Sequence, residues 1–68
     1  VRIADHLAAG IASGVYPADS MLPGERALAE SYGVGVNTLR RALDVLRERG
    51  LIITLPAKGT FVVRQPGP

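Results

Sequence analysis

Apolar positions along this chain follow a helical period as far as Gly50 and a shorter one beyond it. Between Gly33 and Gly50, in GVGVNTLRRALDVLRERG, Leu39, Ala42, Leu43 and Leu46 recur at three- and four-residue steps. That spacing stacks them on one face of a helix. Asn37, Arg40, Arg41, Asp44 and Glu48 fall on the opposite side. Gly50 stands where a helix end favours a residue tolerant of positive φ. Glu25 to Tyr32 repeats the pattern on a shorter scale, with Leu28, Ala29 and Tyr32 inward. Gly33, Val34 and Gly35 leave a joint of only a few residues between the two helices, which is the spacing of a helix-turn-helix. A plain antiparallel helix pair has the same local signature.

Val1 to Ser13 predicts another helix, with Ile3, Leu7 and Ile11 four apart and Gly14 closing it. Its pattern starts at once, with no capping residue ahead of it, as in a chain that begins inside or just before the helix. Val15 to Pro23 is a connection punctuated by Pro17 and Pro23. Val15, Tyr16, Met21 and Leu22 are its candidate anchors, and Met21-Leu22, ahead of a proline, leans toward a short strand. Beyond Gly50 the period shortens. Leu51 to Leu55 and Thr60 to Val63 are apolar, β-branched runs around Pro56-Ala57-Lys58-Gly59, which predicts a hairpin. The expected fold is mainly α with a small β-hairpin: three helices and a two-stranded wing over residues 1–64, with residues 65–68, QPGP, as a linker or tail.

Composition narrows the class. Sixty-eight residues make one domain at most, with a small core. No apolar run approaches the length of a membrane span, and Arg2 and Asp5 break any signal-peptide pattern. The absence of cysteine excludes disulfides and thiolate metal sites and is compatible with a cytoplasmic setting. The net charge of +2 conceals an asymmetry. Residues 1–35 carry two basic residues against four carboxylates, net −2, whereas residues 36–68 carry six against two, net +4. Seven of the eight basic side chains are arginine, which suits bidentate contact with phosphate and guanine. The excess lies in the half holding the longest helix, the distribution of a nucleic-acid footprint. A solvated basic face is the plainer account of the same numbers.

No enzyme constellation is present. One histidine, His6, has no plausible serine partner and no second histidine or cysteine to complete a metal site, so neither a cofactor nor a metal is expected in this chain. Tyr32 and Phe61 read as core, since single-strand binders expose several aromatics.

The order of a helix, LPGERALAESYGV, VNTLRRALDVLRERGLI and KGTFV resembles the N-terminal DNA-binding domain of the GntR family of bacterial transcription regulators. The resemblance runs from about Ile3 to Val63. Its pieces are weak singly and specific as an ordered set. It implies a winged helix-turn-helix that binds double-stranded DNA operators, usually palindromic and usually as a homodimer. It also implies a larger C-terminal domain sensing a small molecule. By resemblance, Arg26 begins the second helix and contacts DNA, Thr38 and Arg40 are recognition-helix contacts, Asn37 is a variable position beside them, and Lys58 and Gly59 form a wing tip that approaches the minor groove. Gly35 departs from the side-chain N-cap common in the family, and Val36 departs from a base-reading arginine.

Read on their own chemistry, these residues leave some choices open. Arg26 pairs either with DNA or with Glu30 four residues on. Arg40 and then Arg41 are the strongest DNA-contact candidates, and Arg47 and Arg49 read as solvated helix-terminal charges. Thr38 donates either to a phosphate or back into its own helix. Asn37 serves adenine readout or helix entry equally well. Lys58 is a DNA contact or a charge keeping the hairpin edge soluble. The expected function is regulation of transcription, as a repressor, with the third helix in the major groove and the wing at the adjacent minor groove. The alternative is a winged helix used for protein–protein contact.

Overall fold

The computed structural model describes residues 2–64. Three helices, α1 (Arg2–Ser13), α2 (Glu25–Tyr32) and α3 (Val36–Glu48), precede a hairpin of β1 (Ile52–Leu55) and β2 (Gly59–Val62). The core sits where the predicted stripes meet. Leu39, Ala42, Leu43 and Leu46 of α3 are buried against Ala4, Leu7 and Ile11 of α1, Leu28 and Ala29 of α2, and Ile52 and Val62 of the hairpin. The helix pattern therefore places α3 at the centre, packed on both other helices and on β1. Truncating fully buried Leu46 would cost about 2–5 kcal/mol, the range for buried leucines.

The joint between α2 and α3 is built by backbone hydrogen bonds. Gly33 adopts φ 67°, ψ 33°, so its N–H reaches the Glu30 carbonyl and the N–H of Val34 reaches that of Ala29. These are the two bonds of a Schellman ending. A β-carbon at Gly33 would strain that left-handed conformation. The end of α3 repeats the scheme, with Gly50 bonded to Arg47 and Leu51 to Leu46. Gly35, extended at the start of α3, supplies no side-chain cap.

The hairpin is antiparallel, with Ile52 opposite Val62, Ile53 opposite Phe61, Thr54 opposite Thr60 and Leu55 opposite Gly59. Its turn closes by the Lys58 N–H on the Leu55 carbonyl. Pro56 and Ala57 fill the two central positions, and Ala57 carries φ 62°, a position where type II turns favour glycine. The connection before α2 lies along the other edge of β2. Asp19 donates to Val62, Val62 to Ser20 and Leu22 to Thr60, with Met21 bridged to Phe61. The short strand expected at Met21-Leu22 is thus a single bridge with flanking bonds. It covers an edge that would otherwise present open N–H and C=O groups.

Several inward assignments differ from expectation. Of the four anchors in the connection, Leu22 is buried and Tyr16 packs against the core, whereas Val15 and Met21 are 71% and 59% exposed. Phe61, expected in the core, is partly buried on the outward side of the hairpin, across from Ile53 and beside Met21. Alternation decides this: with Ile52 and Val62 inward, the next pair must face out. Tyr32 does pack against the core, and its hydroxyl shares a 2.6 Å hydrogen bond with Nδ1 of exposed His6. Burial, then the neighbouring Tyr16, pushes the Tyr32 pKa up. The expected tail at 65–68 lies outside the described residues, as does Val1.

Candidate nucleic-acid interface

The outward face of α3 is assembled from its N-terminal half. Asn37, Arg40, Arg41 and Asp44 lie at three- and four-residue steps on the side opposite the buried leucines, and Thr38 adjoins them. All five are exposed. Val36, the first helical residue, is partly buried against the core and so packs inward at least in part. A 13-residue helix is about 20 Å long and, with side chains, about 10–12 Å across. The major groove of B-DNA is about 12 Å wide, so such a helix fits it.

Arg40 is held by one atom. Its Nε donates to Oε2 of Glu25 at 2.8 Å, which ties α3 to the first turn of α2. The side chain nonetheless remains 61% exposed. The side chain of Arg41 makes no ion pair or hydrogen bond among the described residues, and neither do those of Arg26 and Lys58. The Arg26–Glu30 pair that the sequence allows does not form.

The arginines at the other end of α3 are not simply solvated, as their terminal position had suggested. Arg47 donates to Asp44 at 2.6 Å and to the Thr54 hydroxyl at 2.9 Å, and Arg49 approaches Asp5 of α1 at 3.4 Å. Both remain at the surface, where such pairs contribute about 0–1 kcal/mol each. Arg64 likewise pairs with Asp19. Arg40, Arg47, Arg49 and Arg64 thus each have a carboxylate partner at the surface, whereas the side chains of Arg26, Arg41 and Lys58 have none among the described residues.

The hairpin flanks this face. An open cleft of about 490 Å³ separates the wing from the helix-turn-helix, with Pro23, Gly24 and Glu25 on one side and Thr54, Lys58 and Thr60 on the other. Lys58 stands in the hairpin turn. Gly59 follows with φ 124°, a conformation that favours glycine, and a β-carbon there would press on the sulfur of the exposed Met21 side chain at 3.0 Å. The structure therefore brings Asn37, Thr38, Arg40 and Arg41 onto one helix face, with Arg26 early in the adjoining α2 and Lys58 and Gly59 on the wing. Sequence reasoning missed Glu25 as the partner of Arg40. Fifteen residues separate them, and no local periodicity carries the pairing.

The family described as bacterial regulatory proteins, gntR family, matches residues 1–62. The chain belongs to the GntR family. RmpR of Mycobacterium gastri, named as an HTH-type transcriptional regulator, is 47% identical over 68 residues, covering 97% of this chain and 25% of that protein. The HTH-type transcriptional repressor NagR of Bacillus subtilis is 39% identical over 61 residues, covering 90% of this chain and 25% of its own length. This GntR chain thus spans about a quarter of the length of the curated relatives it matches. The DNA-binding domain of AraR, solved in complex with operator ORX1, superposes with a TM-score of 0.86 at 29% identity, over 91% of this chain and 75% of that one. A GntR family transcriptional regulator from Listeria monocytogenes gives 0.88 at 28% identity, over 94% and 56%. The winged helix-turn-helix architecture expected from the sequence is the architecture of these neighbours.

Proposed function

We propose that this GntR-family domain binds double-stranded operator DNA through the exposed N-terminal face of α3, with the wing at the adjacent minor groove. The observation that carries the reading is that Asn37, Thr38, Arg40 and Arg41 crowd one solvent-facing helix surface beside a hairpin turn that bears Lys58. Arg41, Arg26 and Lys58 supply cations for phosphates, which give most of the affinity and no sequence information. Arg40 and Asn37 supply donors and acceptors suited to base edges. Thr38 adds a hydroxyl that positions the helix on a phosphate. Val36, partly packed against the core, offers at most an apolar contact to a thymine methyl. The solved complexes of AraR with its operators support this reading by likeness of fold.

In the full-length protein, the domain serves as the reader of a transcriptional regulator of the repressor type, as the name of NagR suggests. A C-terminal domain senses a small-molecule effector and pairs two chains on a palindromic operator, and the protein works in the cytoplasm. A protein-docking use of the same face is disfavoured because the face carries no aromatic or apolar anchor beside its amide, hydroxyl, guanidinium and carboxylate groups. Titration of the 68-residue chain against duplex DNA at two salt concentrations tests the proposal. Affinity should fall steeply with salt. Binding absent at low salt, or insensitive to salt, would overturn it.

A further inference from the structure

Glu25 is an acidic side chain beside a surface that otherwise collects cations, and the duplex-binding role gives it no task. It lies in the first turn of α2, where the helix dipole favours a carboxylate. Its Oε2 accepts the Nε–H of Arg40 at 2.8 Å. A guanidinium has five N–H donors in one plane. Engaging Nε orients that plane and leaves the four donors on the two terminal nitrogens. Those two nitrogens form the fork that matches O6 and N7 of guanine. An arginine without a tether samples many rotamers and meets phosphates and bases alike. Arg41, one residue on, is such an arginine.

We infer that Glu25 is a positioning residue for specificity: it presents Arg40 end-on as a base-reading fork, and so converts one of two neighbouring arginines from a general phosphate contact into a guanine contact. The inference rests on the DNA-binding reading above and names a residue outside the contact set. It also accounts for a carboxylate tolerated beside a polyanion, since its charge is turned onto Arg40.

The test begins with duplexes enriched from a randomised pool by the 68-residue chain. Affinities are then measured for an enriched duplex, its single-base variants and a scrambled duplex of equal length at one salt concentration. The proteins compared are the unmodified chain, Glu25→Ala, Glu25→Gln, Arg40→Ala and the Glu25→Ala/Arg40→Ala double variant, each checked for folding by circular dichroism. Glu25→Ala should lower the enriched-to-scrambled affinity ratio about tenfold, within the span of one lost bidentate base contact, while binding to the scrambled duplex stays level or tightens. Discrimination should vanish at the same base pair as in Arg40→Ala. The double variant should be no less selective than Arg40→Ala alone, and Glu25→Gln, whose amide oxygen still accepts, should retain more of the ratio than Glu25→Ala. If Glu25→Ala and Glu25→Gln tighten both duplexes in equal proportion, Glu25 only competes with DNA for Arg40 and the inference is overturned. If the unmodified chain enriches no duplex, the DNA-binding reading itself fails.

Discussion

The two ends of α3 carry the same residue type in different surroundings. Toward the N-terminus, Arg41 meets no partner among the described residues and Arg40 is engaged through a single nitrogen. Toward the C-terminus, Arg47 is bonded to Asp44 and Thr54, and Arg49 approaches Asp5. Counting charges would credit all four to a nucleic-acid footprint. Packing separates them, because the C-terminal half of α3 runs past α1 and β1, whose Asp5 and Thr54 are within reach. The lesson is that the partners supplied by the rest of the fold, and not the count of charges, distinguish one end of a basic helix from the other.

The largest expected effect breaks the comparison directly. Arg40→Ala should weaken binding to an enriched duplex by about 5- to 150-fold, as loss of a base contact worth about 1–3 kcal/mol requires. Arg49→Ala should change it by less than about threefold, since an arginine away from the interface changes no phosphate contact. A gel-shift series giving equal losses would erase the distinction between the two ends. Next is the wing. Lys58→Ala should weaken binding to all duplexes alike and reduce the slope of log affinity against log salt by about 1. An unchanged slope would remove the hairpin turn from the interface and leave α3 to act alone.

Smaller effects sharpen the contrast from the stability side. Arg47→Ala deletes the bonds to Asp44 and Thr54 and should cost about 0.5–1 kcal/mol in a urea melt, with DNA affinity nearly unchanged; Arg41→Ala should do the reverse. Ala57→Gly relieves the positive φ in the wing turn and should raise stability by about 0.5–1 kcal/mol. A loss of stability there would mean that the turn does not hold Ala57 in the left-handed region.

The central helix was readable because its apolar period is an immediate consequence of helical geometry: Leu39, Ala42, Leu43 and Leu46 are all buried as their spacing requires. Gly33 and Gly50 were readable for the related reason that helix ends impose a backbone conformation. Met21 and Phe61 were misassigned because an apolar side chain states a preference for burial but not the face it is given, and hairpin alternation settles that face only once Ile52 and Val62 are inward. The long-range ion pairs were unreadable. Arg40 finds Glu25 fifteen residues back and Arg49 finds Asp5 forty-four residues back, distances over which sequence holds no periodic signal. The exposure of Asn37, Thr38, Arg40 and Arg41 was therefore anticipated, while the carboxylate partners of Arg40 and Arg49 emerged only from the packed chain.

Salt titration of two double variants against one enriched duplex tests the difference between the two ends of α3 most directly. Arg40→Ala/Arg41→Ala should weaken binding more than tenfold and flatten the salt dependence by about one phosphate contact, a change of about 0.9 in slope. Arg47→Ala/Arg49→Ala should leave both affinity and slope close to those of the unmodified chain. Matching losses in the two pairs, or a larger loss from the second, would contradict the assignment of the N-terminal end of α3 as the end that meets DNA.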